Sequence, residues 1–345
     1  MNFRRPAAAA AILATAALGL AACSSDTSSD PSASTSASTD TAAATAATVA
    51  ALETVTWTDG SDGVPVLTFD DGGTYAFTAT GAVLNKDGDG EAIADGTGVS
   101  VSYVIYDVPS ASSASDSASA SASPSASASA SASATSTEPA LYYSTYDDNY
   151  TELLTVSSSA LDPVLYDILN GAHVGAQVLY GTIDSSTGDS LIMAVTVEKT
   201  TPLRATGTSI EPLAGLPTVT LADNGAPTID MSTATSEPTD LVVQTLIQGD
   251  GAAVAEGQTL TVQYTGWLWD GTQFDSSWDR GYASSFTLSA DSLIQGWVDG
   301  LTGVQVGSQV MLIVPPDLAY GSDGSGTTIP ADATLVFVID VLDAQ

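Results

Sequence analysis

Six side chains in the last third of the chain have the types and spacing from which chemistry can be read: Tyr264, Phe274, Asp275, Trp297, Tyr320 and Phe337. Leu260, Val262 and Tyr264 alternate with Thr261 and Gln263, the period of a strand with one buried face, and Asp270-Gly271 is a hairpin-turn signal. The chain then returns through Phe274-Asp275, setting one carboxylate on the apolar face that Tyr264 began. A carboxylate among rings, with no histidine or second acid beside it, suits an orienting hydrogen-bond acceptor better than a proton shuttle. Spacing alone leaves the five rings as ordinary core residues of a β protein.

Other chemistries are poorly supplied. His173 is the sole histidine, set between Gly171 and Gly175, and reads as an exposed turn residue. With Cys23 the only cysteine, the mature chain has no Ser/His/Asp set, no Cys/His set and no zinc-ligand spacing. Asp87-Gly-Asp-Gly-Glu91 begins like a calcium loop, but Ala92 and Gly98 stand where a glycine and a bidentate glutamate are needed, so it reads as a turn. Gly321-Ser-Asp-Gly-Ser-Gly326 lacks the Lys-Ser/Thr of a phosphate loop. No metal and no cofactor are expected. Six basic against forty acidic residues give a net charge of −34. Binding phosphate backbones needs clustered Lys and Arg, so nucleic acid is excluded as a partner; the acidity reads as a solvated surface.

The elements that must position the six residues follow in order. After the strand and hairpin come Phe286-Thr-Leu288, Leu293-Ile-Gln-Gly-Trp297-Val-Asp-Gly-Leu301, Val310 to Val314, Pro316-Asp-Leu-Ala-Tyr-Gly321, Ile329-Pro330 and Thr334-Leu-Val-Phe-Val-Ile-Asp-Val341. Trp297 and Leu301 share a face at i, i+4 spacing, which predicts a short helix over Gln295–Leu301. In order and spacing, residues 240–345 resemble the FKBP-type peptidyl-prolyl cis-trans isomerase family, through Tyr264-Thr-Gly-x-Leu-x-Asp-Gly-x-x-Phe-Asp-Ser-Ser277 and the later motifs together.

The resemblance implies an α+β fold, a curled antiparallel sheet around a short helix, and an apolar pocket for proline. It assigns Trp297 to the floor and Tyr264, Phe274, Leu293, Ile294 and Phe337 to the walls, with Phe286 among the substrate-binding residues. Asp275 and Tyr320 would hold the peptide by hydrogen bonds, joined by the Ile294 N–H; Arg280 would pair with Asp275, and Ile329 belongs to a closing loop. Proline-containing polypeptides are the implied partners, with macrolide ligands besides. Departures from the family pattern include Ser284, where a further pocket phenylalanine is common, Ser289 in place of a glycine and Ser325 where some members carry a histidine.

The earlier chain carries and copies this segment. Arg4-Arg5, the apolar run Ala7 to Leu20 and Leu20-Ala-Ala-Cys23 resemble a bacterial lipoprotein signal over 1–23, with Cys23 acylated, so an extracytoplasmic, lipid-anchored location is expected. Residues 24–50 read as a disordered Ser/Thr/Ala tether. Residues 51–200 read as a degenerate copy of the second domain, interrupted by a Ser/Ala run at about 109–137. Val99-Ser-Val-Ser-Tyr103 aligns with Leu260 to Tyr264, Asp167 to Gly175 with Asp299 to Gly307, and Ser190 to Val197 with Thr334 to Val341. Leu165 replaces Trp297 and the equivalent of Ser322 to Ala333 is missing, so this copy is expected to be non-catalytic. Residues 201–239, rich in proline, read as a linker. The expected whole is two tandem domains forming a surface isomerase that assists folding of exported proteins. The rival reading is a non-enzymatic surface chaperone or adhesion module that binds peptides without turning them over.

Overall fold

The computed structural model describes residues 34–69, 75–108, 139–147, 150–184 and 187–345, with side chains from residue 41 onward. Cys23 with its signal segment, and the Ser/Ala run at 109–137, lie outside the described residues. Packing divides the chain into two compact units, one of residues up to Thr200 and one from Thr201 to Gln345; Thr97–Val99 and Glu152–Thr155 group with the second.

The first unit opens with helix α1 (Ser34–Leu52) and a small hairpin, β1 (Thr56–Asp59) with β2 (Pro65–Thr68). Then follow β3 (Gly81–Lys86), β4 (Gly98–Val108), β5 (Ala140–Ser144), β6 (Glu152–Thr155), helix α2 (Pro163–Leu169), β7 (Gln177–Ile183) and β8 (Ser190–Thr200). Over residues 34–50 a helix, α1, stands where a disordered tether was expected; residues 24–33 lie outside the described residues. The alanines of α1 favour helix, and Thr48 and Leu52, one turn apart, are buried. Thr48 Oγ1 donates to the Ala79 carbonyl at 2.8 Å, and a Cβ on Gly81 would lie 2.8 Å from Thr48 Cγ2. The helix forms because tertiary contacts hold one end, which its weakly patterned sequence does not announce.

The second unit holds the site. Its elements are β9 (Thr208–Ser209), β10 (Thr218–Leu221), β11 (Pro227–Asp230), β12 (Val242–Gln248), β13 (Thr259–Leu268), β14 (Gln273–Ser276), helix α3 (Ser277–Arg280), β15 (Ser284–Thr287), helix α4 (Gln295–Leu301), β16 (Gln309–Val314) and β17 (Leu335–Ala344). The sheet order is β14-β13-β17-β16-β12-β9, with β15 paired to β13. Pairing is antiparallel throughout, and Tyr264 stands opposite Ile339, Gly266 opposite Phe337, Leu312 opposite Phe337. Alternation therefore sends Leu260, Val262, Tyr264, Val310, Leu312, Val314, Leu335, Phe337, Ile339 and Val341 to one face, where they pack with Trp297, Val298 and Leu301 of α4. At about 1.5–3 kcal/mol for each large apolar side chain removed from water, this layer dominates the unit's stability.

Two glycines let α4 lie close on that layer: a Cβ on Gly296 would come within 2.3 Å of Val314 Cγ1, and one on Gly300 within 2.7 Å of Leu312 Cδ2. Glycine is a poor helix residue, so the close approach outweighs the propensity cost of about 1 kcal/mol each. The opposite face of the sheet is also apolar, with Trp267, Met311, Ile313, Val336 and Val338, and it is covered by Leu216, Val219, Ile229 and Met231. Residues 201–239 are thus not a linker but a structural part of this unit: β9 extends the sheet edge and the β10–β11 hairpin roofs the outer face.

The first unit has its own sheet, β5-β4-β8-β7-β3, with β6 paired to β4. A register shift falls between Leu84 and Lys86 of β3, and another between Thr245 and Ile247 of β12. Gly90 N–H donates to the Val174 carbonyl at 3.0 Å, and Gly251 N–H to the Val306 carbonyl at 3.0 Å. The connection from β7 to β8 spans only 184–189, whereas that from β16 to β17 runs from 315 to 334.

Candidate active site

The Phe-Asp-Ser-Ser run builds one wall residue by residue. Ser276 caps α3 by accepting from the Asp279 N–H, and Ser277 Oγ accepts from the Tyr264 N–H at 2.8 Å while donating to Gln263 Oε1. Four residues of helix, stopped by Gly281 in the left-handed region (φ 81°), bring Arg280 back beside Asp275. Arg280 Nη1 donates to Asp275 Oδ1, and the Tyr264 hydroxyl donates to Asp275 Oδ2. Arg280 Nη2 donates to the Tyr264 hydroxyl at 3.2 Å and to Ser284 Oγ at 3.1 Å, and its guanidinium lies 5.5 Å from the Tyr264 ring centre.

Burial, then the hydrogen bond to Asp275, push the Tyr264 hydroxyl up to about 12, so it stays a donor across the physiological range. Partial burial opposes the Arg280 charge, but Tyr264 and Asp275 more than offset it and hold the guanidinium above its ordinary value. The network is a fixed acceptor with a fixed counter-ion, which is how a carboxylate orients a ligand without trading protons.

Behind it lies a nest of rings. Trp297, 4% exposed, meets Tyr264, Phe286 and Phe337 edge-on at centroid distances of 5.4, 5.7 and 5.3 Å, and Phe274 meets Phe337 edge-on at 5.6 Å. Gly266 makes room for the last pair, since a Cβ there would sit 2.6 Å from Phe274 Cζ. The Trp297 N–H is buried with no partner among the described residues. Above these rings opens a cavity of about 650 Å³, lined by Tyr264, Phe274, Asp275, Phe286, Ala290, Asp291, Ser292, Leu293, Ile294, Gln295, Trp297, Ala319, Tyr320 and Phe337. Tyr320, 41% exposed, stands at the mouth. Ile294, in extended conformation, precedes α4, and no side chain caps the start of that helix.

The structure brings together nine of the eleven pocket residues expected from sequence. Arg280 does not line the cavity and acts through Asp275 and Tyr264. Ile329 is buried in the apolar core with Trp297 and Phe337 rather than lining the cavity, and its N–H and C=O both bond Ser325 across a tight loop. Cys23 falls outside the described residues. Trp278 packs against the β10–β11 turn, its Cη2 3.1 Å from where Gly225 would carry a Cβ. Sequence reasoning missed Ala290, Asp291, Ser292, Gln295 and Ala319. The signal was contiguity, because 290–295 descend as one strip from β15 into α4.

Comparison with known proteins decides the family. Residues 251–342 match the FKBP-type peptidyl-prolyl cis-trans isomerase family. An FK506-binding protein of Neisseria meningitidis serogroup B is 40% identical over 102 residues, 30% of this chain and 94% of that protein. The chain belongs to the FKBP-type peptidyl-prolyl cis-trans isomerases. A probable FK506-binding protein of Corynebacterium glutamicum is 44% identical over 108 residues, 31% of this chain and 89% of that protein. The FKBP-type isomerase FkpA of Escherichia coli is 42% identical over 107 residues, 31% of this chain and 38% of that protein. The FKBP match lies wholly within the second unit, so the ring-lined cavity belongs to the isomerase domain.

Proposed function

We propose that the cavity holds the ring of a proline and that the chain uses it to assist the folding of exported proteins at the cell surface. Rotation about an Xaa-Pro bond is slow because amide resonance must be lost, a barrier of about 18–20 kcal/mol, and no bond breaks. The site must therefore bind the twisted amide better than the planar one, each ~1.4 kcal/mol of preference being worth tenfold in rate. Trp297 is the floor under the proline ring, and Tyr264, Phe274, Phe286, Leu293, Ile294 and Phe337 are the walls. They offer the substrate carbonyl little of the water that stabilises its planar, charge-separated form. Asp275, held by Arg280, and the Tyr320 hydroxyl orient the peptide, and the Ile294 N–H is a third contact. FK506-like ligands would enter the same cavity, as the names of the relatives suggest.

The observation that carries this reading is Trp297, enclosed edge-on by three rings beneath an open cavity. Its test is an isomerisation assay on the full chain with a Leu-Pro peptide, in which Trp297→Leu is expected to abolish most of the acceleration. An equal rate in that variant would reject the assignment.

The first unit serves as a non-catalytic, degenerate copy of the isomerase domain. Support comes from its matching strand order and register shift, together with Leu165, Met193 and Tyr103, all fully buried, at the places of Trp297, Phe337 and Tyr264. Anchoring rests on the sequence around Cys23: several acyl chains at ~0.8 kcal/mol per buried CH₂ would hold the protein on the outer face of the membrane.

A further inference from the structure

The polar groups lining the cavity are not equivalent. Asp275 is engaged by Arg280 and Tyr264. Gln295 Nε2 donates to Asp299 Oδ1 at 2.7 Å, and Ser292 Oγ accepts from Ser289 Oγ at 3.4 Å. Asp291 is the one charged lining residue without a partner: it is exposed, with no hydrogen bond or ion pair among the described residues. Among the described residues no cation pairs with it. Arg280 is committed to Asp275, and after Lys199 the only other basic residue is Arg204, which donates to the Asp223 carbonyl beside the β10–β11 turn.

We propose that Asp291 is a specificity-determining residue, favouring proline segments that carry Lys or Arg immediately beside the proline over those that carry Asp or Glu. This rests on the isomerase reading of the same cavity. A peptide whose proline sits over Trp297 and whose chain leaves the cavity along the 290–295 strip brings a flanking side chain near the one unpaired charge on that wall. An exposed carboxylate acts locally, through water, so its effect is about two- to fivefold and weakens with salt as the Debye length falls to ~8 Å and below. The net charge of −34 also attracts cationic peptides, but removing one charge anywhere barely changes that long-range field. A local effect is therefore separable by a single substitution.

The experiment measures kcat/KM on the full chain for peptides with Lys, Glu or Leu before the proline, and with Lys or Glu after it, at low and high salt. A higher rate for Lys than for Glu at either position, cut about two- to fivefold by Asp291→Asn and reversed by Asp291→Lys, is the expected result. Glu237→Gln, exposed and not among the residues that line the cavity, should keep the wild-type ratio. If Asp291→Asn leaves the Lys-to-Glu ratio unchanged while the Leu peptide is still turned over, the inference falls and the isomerase stands. If the Leu peptide is not accelerated by the wild-type chain, the isomerase reading itself fails.

Discussion

The tyrosine, aspartate and arginine at 264, 275 and 280 form a closed triangle of donors and acceptor, and its chemistry is fixed by what does not titrate. Because burial and the Asp275 contact hold the Tyr264 hydroxyl up at about 12, it remains neutral far above physiological pH. The rate constant for a Leu-Pro peptide is accordingly expected to be flat from about pH 6.5 to 9, with no bell of the kind a general acid–base pair gives. A clear inflection in that range would show that a proton moves in the rate-limiting step. Asp275→Ala leaves the Arg280 fork facing the apolar wall without its counter-ion and frees the Tyr264 hydroxyl. We expect a loss in kcat/KM of about tenfold, the size of one charge-assisted hydrogen bond. Asp275→Glu should recover less than half of it, since one extra methylene breaks the fixed geometry.

At the scale of elements, the sheet is held from both sides, and each side makes its own prediction. On the inner face, a methyl at position 296 would meet Val314, a stiff β-branched side chain, at 2.3 Å, so α4 must move. Gly296→Ala is expected to destabilise the second unit by about 1–3 kcal/mol and to weaken activity with it, through displacement of Trp297. Gly300→Ala, meeting only the flexible end of Leu312 at 2.7 Å, should be milder in a denaturant titration. On the outer face, Asp340 is 2% exposed, accepts from the Ala205 N–H and Gln309 Nε2 at 2.7 Å each, and is pushed up to about 6 because burial outweighs these bonds.

The sign for Asp340 follows from that shift. With the native value raised above 3.8, the folded state binds the proton more tightly than the unfolded one, so this group costs nothing at pH below about 3.8. Its cost grows as pH rises from there to about 6 and levels off above at about 3 kcal/mol. Asp340→Asn keeps an acceptor for the Ala205 N–H and lets the Gln309 amide turn to match. Its melting temperature should exceed the wild type's at pH 7.5, with the difference vanishing near pH 4.

For the whole molecule, the question is which parts turn over substrate and which place them. With the ring-floored cavity in the second unit and the first unit proposed to be non-catalytic, Trp297→Leu in the full chain should remove essentially all isomerisation. Residual activity above a tenth of wild type would count against Trp297 as the floor, unless Leu165→Ala in the same chain then removed it and so traced it to the first unit. If Cys23 carries the proposed anchor, Cys23→Ala should release the protein from membranes into the medium, and unchanged retention would count against acylation.

The motifs from Tyr264 to Phe337 were legible because the isomerase pocket is built from short local signals: a strand period, a hairpin turn and a Gly-Trp helix. Each is set by backbone sterics and nearest neighbours, and these travel with the sequence. What the sequence could not express was anything decided by contacts between distant residues. Helix α1, alanine-rich and barely amphipathic, exists because Thr48 and Leu52 find partners around Ala79 and Gly81. The proline-rich 201–239 segment is structural because Trp267, Met311 and Val338 needed an apolar cover. Ile329 is core rather than cavity wall, and Asp291 is cavity wall rather than loop surface, since burial and exposure depend on the final packing and not on residue type. Chemistry here was local in sequence, while the roof over the sheet and the charge at the mouth were settled only when remote segments met.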